Sequence, residues 1–290
     1  MTQVNSRYRL RSSAFERSEE KNLVAPKKII FLSVEGDETE RSYFTHLGEA
    51  LDSSIIHIEI LRHRRGDGYC DPIHVVELLQ ECLDMRQGPL IPNEILNKII
   101  DKYSYEIIQT YLTTPDKLEQ DLKSNIQSDL LLLGIDVEYR QYLQKYDSQT
   151  DFFGVVIDRD CGSHSREVME ESLQYCQANH FHCYVSNPCF EFWLLLHLCD
   201  VITEFGEEDR KQLLLNPKIS ARHTQVSSEV SKRAHHSKRI SQGTFMEKYY
   251  PNIETAVLRS QNFAIHFPEL FDKLGTNIPE LLREIGLSAT

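Results

Sequence analysis

Glu35 stands where an apolar run, Ile29 to Val34, gives out, and Gly36 follows it at once. An acid in that place has three readings: a solvated turn, a helix cap, or one wall of a metal site. Partners elsewhere in the chain must decide. A second apolar run, in "DFFGVVIDRD", ends on Asp158 and Asp160 with Arg159 between them. In extended chain, residues two apart point to the same side about 6–7 Å apart, so this strand tip would present two carboxylates to a common point. Such a cluster repels itself unless a cation neutralises it. Carboxylate oxygens with no histidine or thiol in the pattern suit Mg²⁺ or Mn²⁺, held through one or two carboxylates, waters and substrate phosphate oxygens. Gly36 would let the backbone turn sharply and approach a phosphate. The expected site therefore joins Glu35 to Asp158 and Asp160.

A third stretch, "SNPCFEFWLLLH", runs from Ser186 to His197. Asn187 can cap a helix and Pro188 can start one, which leaves Glu191 in the first turn, where the positive helix end favours a carboxylate. Glu191 is either a partner of the helix dipole or a further metal ligand. Phe190, Trp193 and His197 fall at helical spacing, and His197 is taken as a packed, hydrogen-bonded residue rather than a ligand. Glu40 is taken as the capping-box partner of Asp37.

These residues need a frame. Short, continuous, β-branched runs alternate with helical patterns: a strand at Lys28 to Val34, a helix at Glu38 to Leu51, a strand at Ile55 to Leu61 and a helix at Pro72 to Arg86. The pattern resumes with "DFFGVVIDRD", a helix at Ser165 to Asn179, and "FHCYVS". Strands of this kind belong to a mostly parallel sheet flanked by helices on both faces. In such α/β folds the ligand site lies beyond the carboxyl ends of the strands, where Glu35 and Asp158 fall. Residues of about 88–150 carry apolar positions at helical spacing and read as a helical insertion. The expected organisation is an N-terminal arm at 1–26, an α/β core at 27–203 containing that insertion, and a mostly helical region at 204–290 in which no strand is expected.

Charge limits the partners. With 32 basic and 44 acidic residues in 290, the net charge is −12, which argues against a general polyanion-coating surface. A local basic groove can still steer a phosphodiester. Between Lys218 and Lys248 the sign inverts: Lys218, Arg222, Lys232, Arg233, Lys238, Arg239 and Lys248 face only Glu229 and Glu247. Of these, Lys232, Arg233, Lys238, Arg239 and Lys248, together with Arg62, Arg64 and Arg65 after the second strand, are the candidates for a nucleic-acid path. Seven cysteines without a C-x-x-C pair suggest reduced thiols and argue against zinc. The polar N-terminus and the lack of a long apolar stretch lead to the expectation of a cytoplasmic protein with no membrane association.

The stretches "VEGDETERSYF", "VVIDRD", "SNPCFEFWLLLH" and "GTNIPELL" together resemble the RloB-like family, which is also represented by the second component of the AbiL abortive-infection system. Members of that family are similar to Toprim-domain proteins, so the resemblance implies a Toprim-like, Rossmann-like sheet. It further implies Glu35 as an acid/base glutamate, Asp158 and Asp160 as a Mg²⁺-binding pair, and Glu191 and Lys248 as secondary site residues. The activity it implies is a Mg²⁺-dependent nuclease of antiphage defence that works with an AAA/ABC-type ATPase. The alternative is a non-catalytic sensor or binding subunit that regulates such an ATPase. Whether DNA or RNA is the substrate, and whether the chain forms a homo-oligomer, is left open by the residues.

Overall fold

The computed structural model describes residues 28–36, 38–52, 56–61, 72–144, 151–160, 162–235 and 239–287. The first strand, β1 (Lys28–Val34), is buried along nearly its whole length, as its unbroken apolar sequence requires of a strand covered on both faces. Helix α1 (Thr39–Ala50) returns over one face through Tyr43, Phe44 and Leu47, all fully buried. Strand β2 (Ile56–Ile60) then pairs with β1 in parallel, and α2 (Pro72–Gln87) follows.

Four helices come next: α3 (Asn93–Tyr103), α4 (Tyr105–Thr113), α5 (Gln120–Leu132) and α6 (Val137–Gln144). They close around Ile99, Tyr103, Ile108, Ile126, Leu130 and Val137, an apolar cluster of their own. The chain divides into two compact units, and residues 80–149 fall in a different one from residues 26–79 and 150–290.

The sheet resumes with β3 (Phe152–Asp158), α7 (Arg166–Ala178) and β4 (His182–Asn187). Helix α8 (Phe190–Leu198) is apolar on every side, with Phe190, Phe192, Trp193, Leu194, Leu195 and Leu196 all fully buried. Such a helix belongs in the middle of a core rather than on its surface. At roughly 1.5–3 kcal/mol for each large apolar side chain buried, α8 is the main anchor of the helical layer. Short α9 (Val201–Glu204), α10 (Glu207–Leu215), α11 (Gln225–Ala234), α12 (Ile253–Ser260) and α13 (Ile278–Glu284) follow, with a helical turn at Gln242–Thr244 and a π-helical turn at Phe245–Tyr249 between α11 and α12.

The strand order is β2-β1-β3-β4-β5. The four long strands run parallel, so the fold is the expected α/β sheet, with a helical insertion and a helical C-terminal region. Three findings differ from expectation. A strand does occur after residue 203: β5 (Gly275–Thr276) pairs antiparallel with β4. It is two residues long and carries no hydrophobic alternation to announce it. A Cβ at Gly275 would collide with the Ala264 backbone, so only glycine permits that approach. Asn277 then staples the edge, accepting from Val185 N at 2.6 Å and donating to Cys183 O at 3.0 Å.

The second difference is the start of α8. Asn187 does not cap the helix; it ends β4 and donates to Leu270 O at 2.8 Å. Cys189 occupies the N-cap position and the helix begins at Phe190. Glu191 keeps its place in the first turn. The third difference is helix α11, which falls in a stretch whose plainest sequence feature is its basic charge. Its signals are the Thr224 cap and the buried spacing of Val226, Val230 and Ala234.

Candidate active site

Parallel strands that leave β1 in opposite directions create a gap above their carboxyl ends. Here β1 has β2 on one side and β3 on the other, which puts the switch point between β1 and β3. Glu35 follows the last residue of β1, and Asp158 is the last residue of β3. Two hydrogen bonds stitch these ends together. Glu35 N donates to Val156 O at 3.1 Å, and Asp158 N donates to Glu35 Oε2 at 2.9 Å.

Asp158 is fixed a second time, through a side-chain oxygen. Its Oδ1 accepts the backbone N–H of Phe190 at 2.8 Å, the first amide of α8, where the helix end is positive. Burial nevertheless raises the Asp158 carboxyl well above the usual carboxylate range, and the charges of Glu40, Glu35 and Glu191 add to that rise. The acid cluster is thus Glu35, Glu40, Asp158 and Glu191, drawn from two strand ends and two helix starts. Thr39 Oγ1 donates to Glu191 Oε1 at 3.4 Å, which ties the first turns of α1 and α8 together.

Glu40 differs from its expected role. Helix α1 has Glu38 at its N-cap, and the Glu40 side chain is buried against Gly36, where a Cβ would collide with its carboxylate. Its charge is the largest of those that raise Asp158. Asp37, the other half of the expected capping box, lies outside the described residues. Gly36 therefore serves the site by making room for an acid.

Asp160 does not join the cluster. It is exposed and turns back on its own loop, where Oδ1 accepts from Gly162 N at 3.3 Å and Oδ2 from Ser163 Oγ at 2.8 Å. The two-residue spacing would aim both carboxylates one way only if the strand continued through Asp160. It stops at Asp158.

That loop supplies a residue the sequence reading passed over. His164 Nε2 lies 3.6 Å from Glu35 Oε1, with both side chains largely buried, and its Nδ1 donates to Asp158 O at 3.1 Å. A carbonyl only accepts, so the Nδ1–H is fixed there. The other ring nitrogen, Nε2, is thereby turned toward the Glu35 carboxylate. Buried Arg159 holds the loop in place, donating to Phe271 O at 2.9 Å and His164 O at 2.7 Å. His197 lies in the core instead: Nδ1 donates to Trp193 O at 2.9 Å and Nε2 accepts from Tyr43 at 3.3 Å.

Among the described residues, no group of three or more histidine, cysteine, aspartate or glutamate side chains is arranged to hold a metal ion. The donor chemistry still fits a hard divalent cation. Carboxylates crowd Asp158 until its charged form is disfavoured, and a dication relieves that, using one or two carboxylates and taking its remaining oxygens from water and phosphate.

The candidate cations divide into three groups. Lys232 is paired with Glu229 at 2.7 Å, Arg233 with Glu229 and with Glu204 at 3.1 Å, and Lys248 with Glu247 at 3.0 Å. Arg239 is exposed. Arg62, Arg64, Arg65 and Lys238 lie outside the described residues. No described helix is long and apolar enough to cross a membrane.

A family model described as RloB-like protein matches residues 30–285, which is most of the chain. No curated protein and no solved structure matches.

Proposed function

The chain belongs to the RloB-like family, and on that premise we propose that it is a divalent-cation-dependent nuclease that hydrolyses phosphodiester bonds. The observation that carries this reading is the meeting of Glu35 and Asp158 at the sheet switch point, with Glu40 and Glu191 raising the Asp158 carboxyl. A fold gains nothing from burying mutually repelling acids, so a cationic ligand is the simplest reason for them.

Asp158 and Glu191, with Glu40 behind them, would hold Mg²⁺ or Mn²⁺. When bound, the ion supplies Lewis acidity at a phosphate oxygen and neutralises the acids. The chain's own residues do the rest. Glu35 Oε1 takes the proton of the attacking water, and His164 Nε2 beside it holds or returns that proton as the leaving oxygen departs. The Phe190 amide and the Glu35–Asp158 bond keep the acids in register, so little reorganisation is needed during reaction. Antiphage defence and an AAA/ABC-type ATPase partner belong to the same proposal and rest on the family.

A second reading is a non-catalytic subunit that gates such an ATPase. The turn that draws Asp160 away from the other acids favours it. Incubating the purified protein, with and without the ATPase, with DNA and total RNA in Mg²⁺, Mn²⁺ and EDTA separates the two. Metal-dependent cleavage that vanishes in Glu35→Gln and Asp158→Asn supports the nuclease. ATPase stimulation by both variants, with no cleavage by the wild type, supports the subunit.

A further inference from the structure

Between α10 and α11 the chain forms a small closed hairpin. Lys218 and Thr224 make an antiparallel bridge, Ile219 N donates to His223 O at 3.0 Å, Gln225 N donates to Pro217 O at 3.0 Å, and Ser220 Oγ accepts from the amides of Arg222 and His223. Four such bonds within nine residues tie the hairpin to itself.

Its foot stands at the acid site. Asn216, in the left-handed conformation at the end of α10, donates through Nδ2 to Cys189 Sγ at 3.5 Å and accepts Val226 N at 2.9 Å. Cys189 is the N-cap of α8, and the next residue supplies the amide that holds Asp158. The hairpin thus springs from the helix end that carries the acids. Lys218 is two residues from that foot, so its Cα lies within about 7 Å of Asn216.

The charge it carries is uncommitted. Lys218 and Arg222 are exposed, and neither side chain makes an ion pair with a described residue. By contrast, Lys211, Lys232, Arg233 and Lys248 each face a glutamate. In a chain of net charge −12, two cations with no ion partner among the described residues, on a hairpin whose foot is bonded to the N-cap of the acid-bearing helix, mark a place where a polyanion can be held. Ile219, half exposed between them, offers apolar contact to a sugar. The hairpin has no aromatic side chain other than His223, so it offers charge rather than a stacking platform.

Resting on the nuclease reading of the acid site, we propose that the Pro217–Gln225 hairpin is a phosphate clamp that holds the nucleic-acid backbone next to the acids, through Lys218 and Arg222 and without regard to base sequence. Each phosphate neutralised changes the slope of log K against log salt by about 0.9 on duplex and about 0.7 on single strands. Removing both cations should therefore flatten the slope by about 1.8 or 1.4, and weaken binding about tenfold or more at moderate salt.

The test is fluorescence anisotropy with full-length Glu35→Gln protein in Mg²⁺, using labelled 30-nucleotide single-stranded DNA, the matching RNA and the duplex DNA over a salt series. Lys218→Gln with Arg222→Gln should flatten the slope, whereas the exchanged pair Lys218→Arg and Arg222→Lys should restore it. Binding whose slope is unchanged by the glutamine pair, or no binding to any probe, overturns the clamp. Because binding is read without cleavage, a flattened slope in a protein that never cuts would overturn the nuclease reading alone.

Discussion

Glu35 Oε2 accepts the backbone N–H of Asp158 at 2.9 Å, so one carboxylate both closes the gap between two strand ends and belongs to the acid cluster. The amide asks only for an acceptor, while the proposed chemistry asks for a charge, and substitution can separate the two.

Glu35→Gln keeps an acceptor for that amide and removes the charge. Thermal stability should stay within about 1 kcal/mol of wild type, while cleavage falls by about 10²-fold or more. Glu35→Ala leaves the amide without its partner and should also destabilise, by about 1–3 kcal/mol. Calorimetry beside a cleavage assay checks both; an active Glu35→Gln protein would remove Glu35 from the chemistry.

The Asp158 carboxyl is raised in the folded protein by burial and by its acidic neighbours. The folded state then holds that proton more tightly than the unfolded chain does. Its contribution is present below the unfolded value near 4 and is lost as pH rises through the raised folded value. Mg²⁺ competes with the same proton, so its stabilising effect should grow with pH. Melting curves at pH 5 and pH 8, with Mg²⁺ or EDTA, should show a rise of a few degrees with Mg²⁺ at pH 8 and little at pH 5. Asp158→Asn should abolish that rise, and in EDTA at pH 8 it should be at least as stable as wild type.

His197 behaves in the opposite sense. Burial pushes its imidazole down to about 3, so the unfolded chain takes up a proton that the folded core refuses. Stability from this residue is complete above about pH 6.5 and is lost as pH falls towards 3, by up to about 5 kcal/mol. Urea unfolding from pH 7 to pH 4 should show a decline that is flatter in His197→Gln, even though that variant starts from lower stability. Equal slopes would mean that His197 is not the group responsible.

Asp160 is bonded to its own turn at Gly162 and Ser163. Asp160→Asn keeps one oxygen to accept Gly162 N and offers its NH₂ as a donor to Ser163 Oγ, so cleavage should fall by less than about tenfold, while Asp158→Asn abolishes it. Equal losses in the two variants would put Asp160 in the metal site after all.

The sheet could be read from the chain because both-sided burial leaves an unbroken apolar signature: the expected first strand and β1 share the same limits, Lys28 and Val34. The mostly helical character expected of residues 204–290 is likewise present. Strand β5 was not, since two residues carry no period and its glycine is required by contact with Ala264 alone. Within the site, Glu35 and Asp158 were legible as acids closing apolar runs. Asp160 misled because two-residue alternation holds only while a strand continues. His164 and Glu40 reach Asp158 through loop and helix geometry that no spacing rule encodes.

The most direct measurement is a Mn²⁺ titration followed by electron paramagnetic resonance, on wild-type protein and on the Asp158→Asn and Asp160→Asn variants. The expected result is one saturable site in the wild type, lost in Asp158→Asn and kept in Asp160→Asn. No saturable Mn²⁺ binding by the wild type, or binding that survives Asp158→Asn unchanged, would contradict the account.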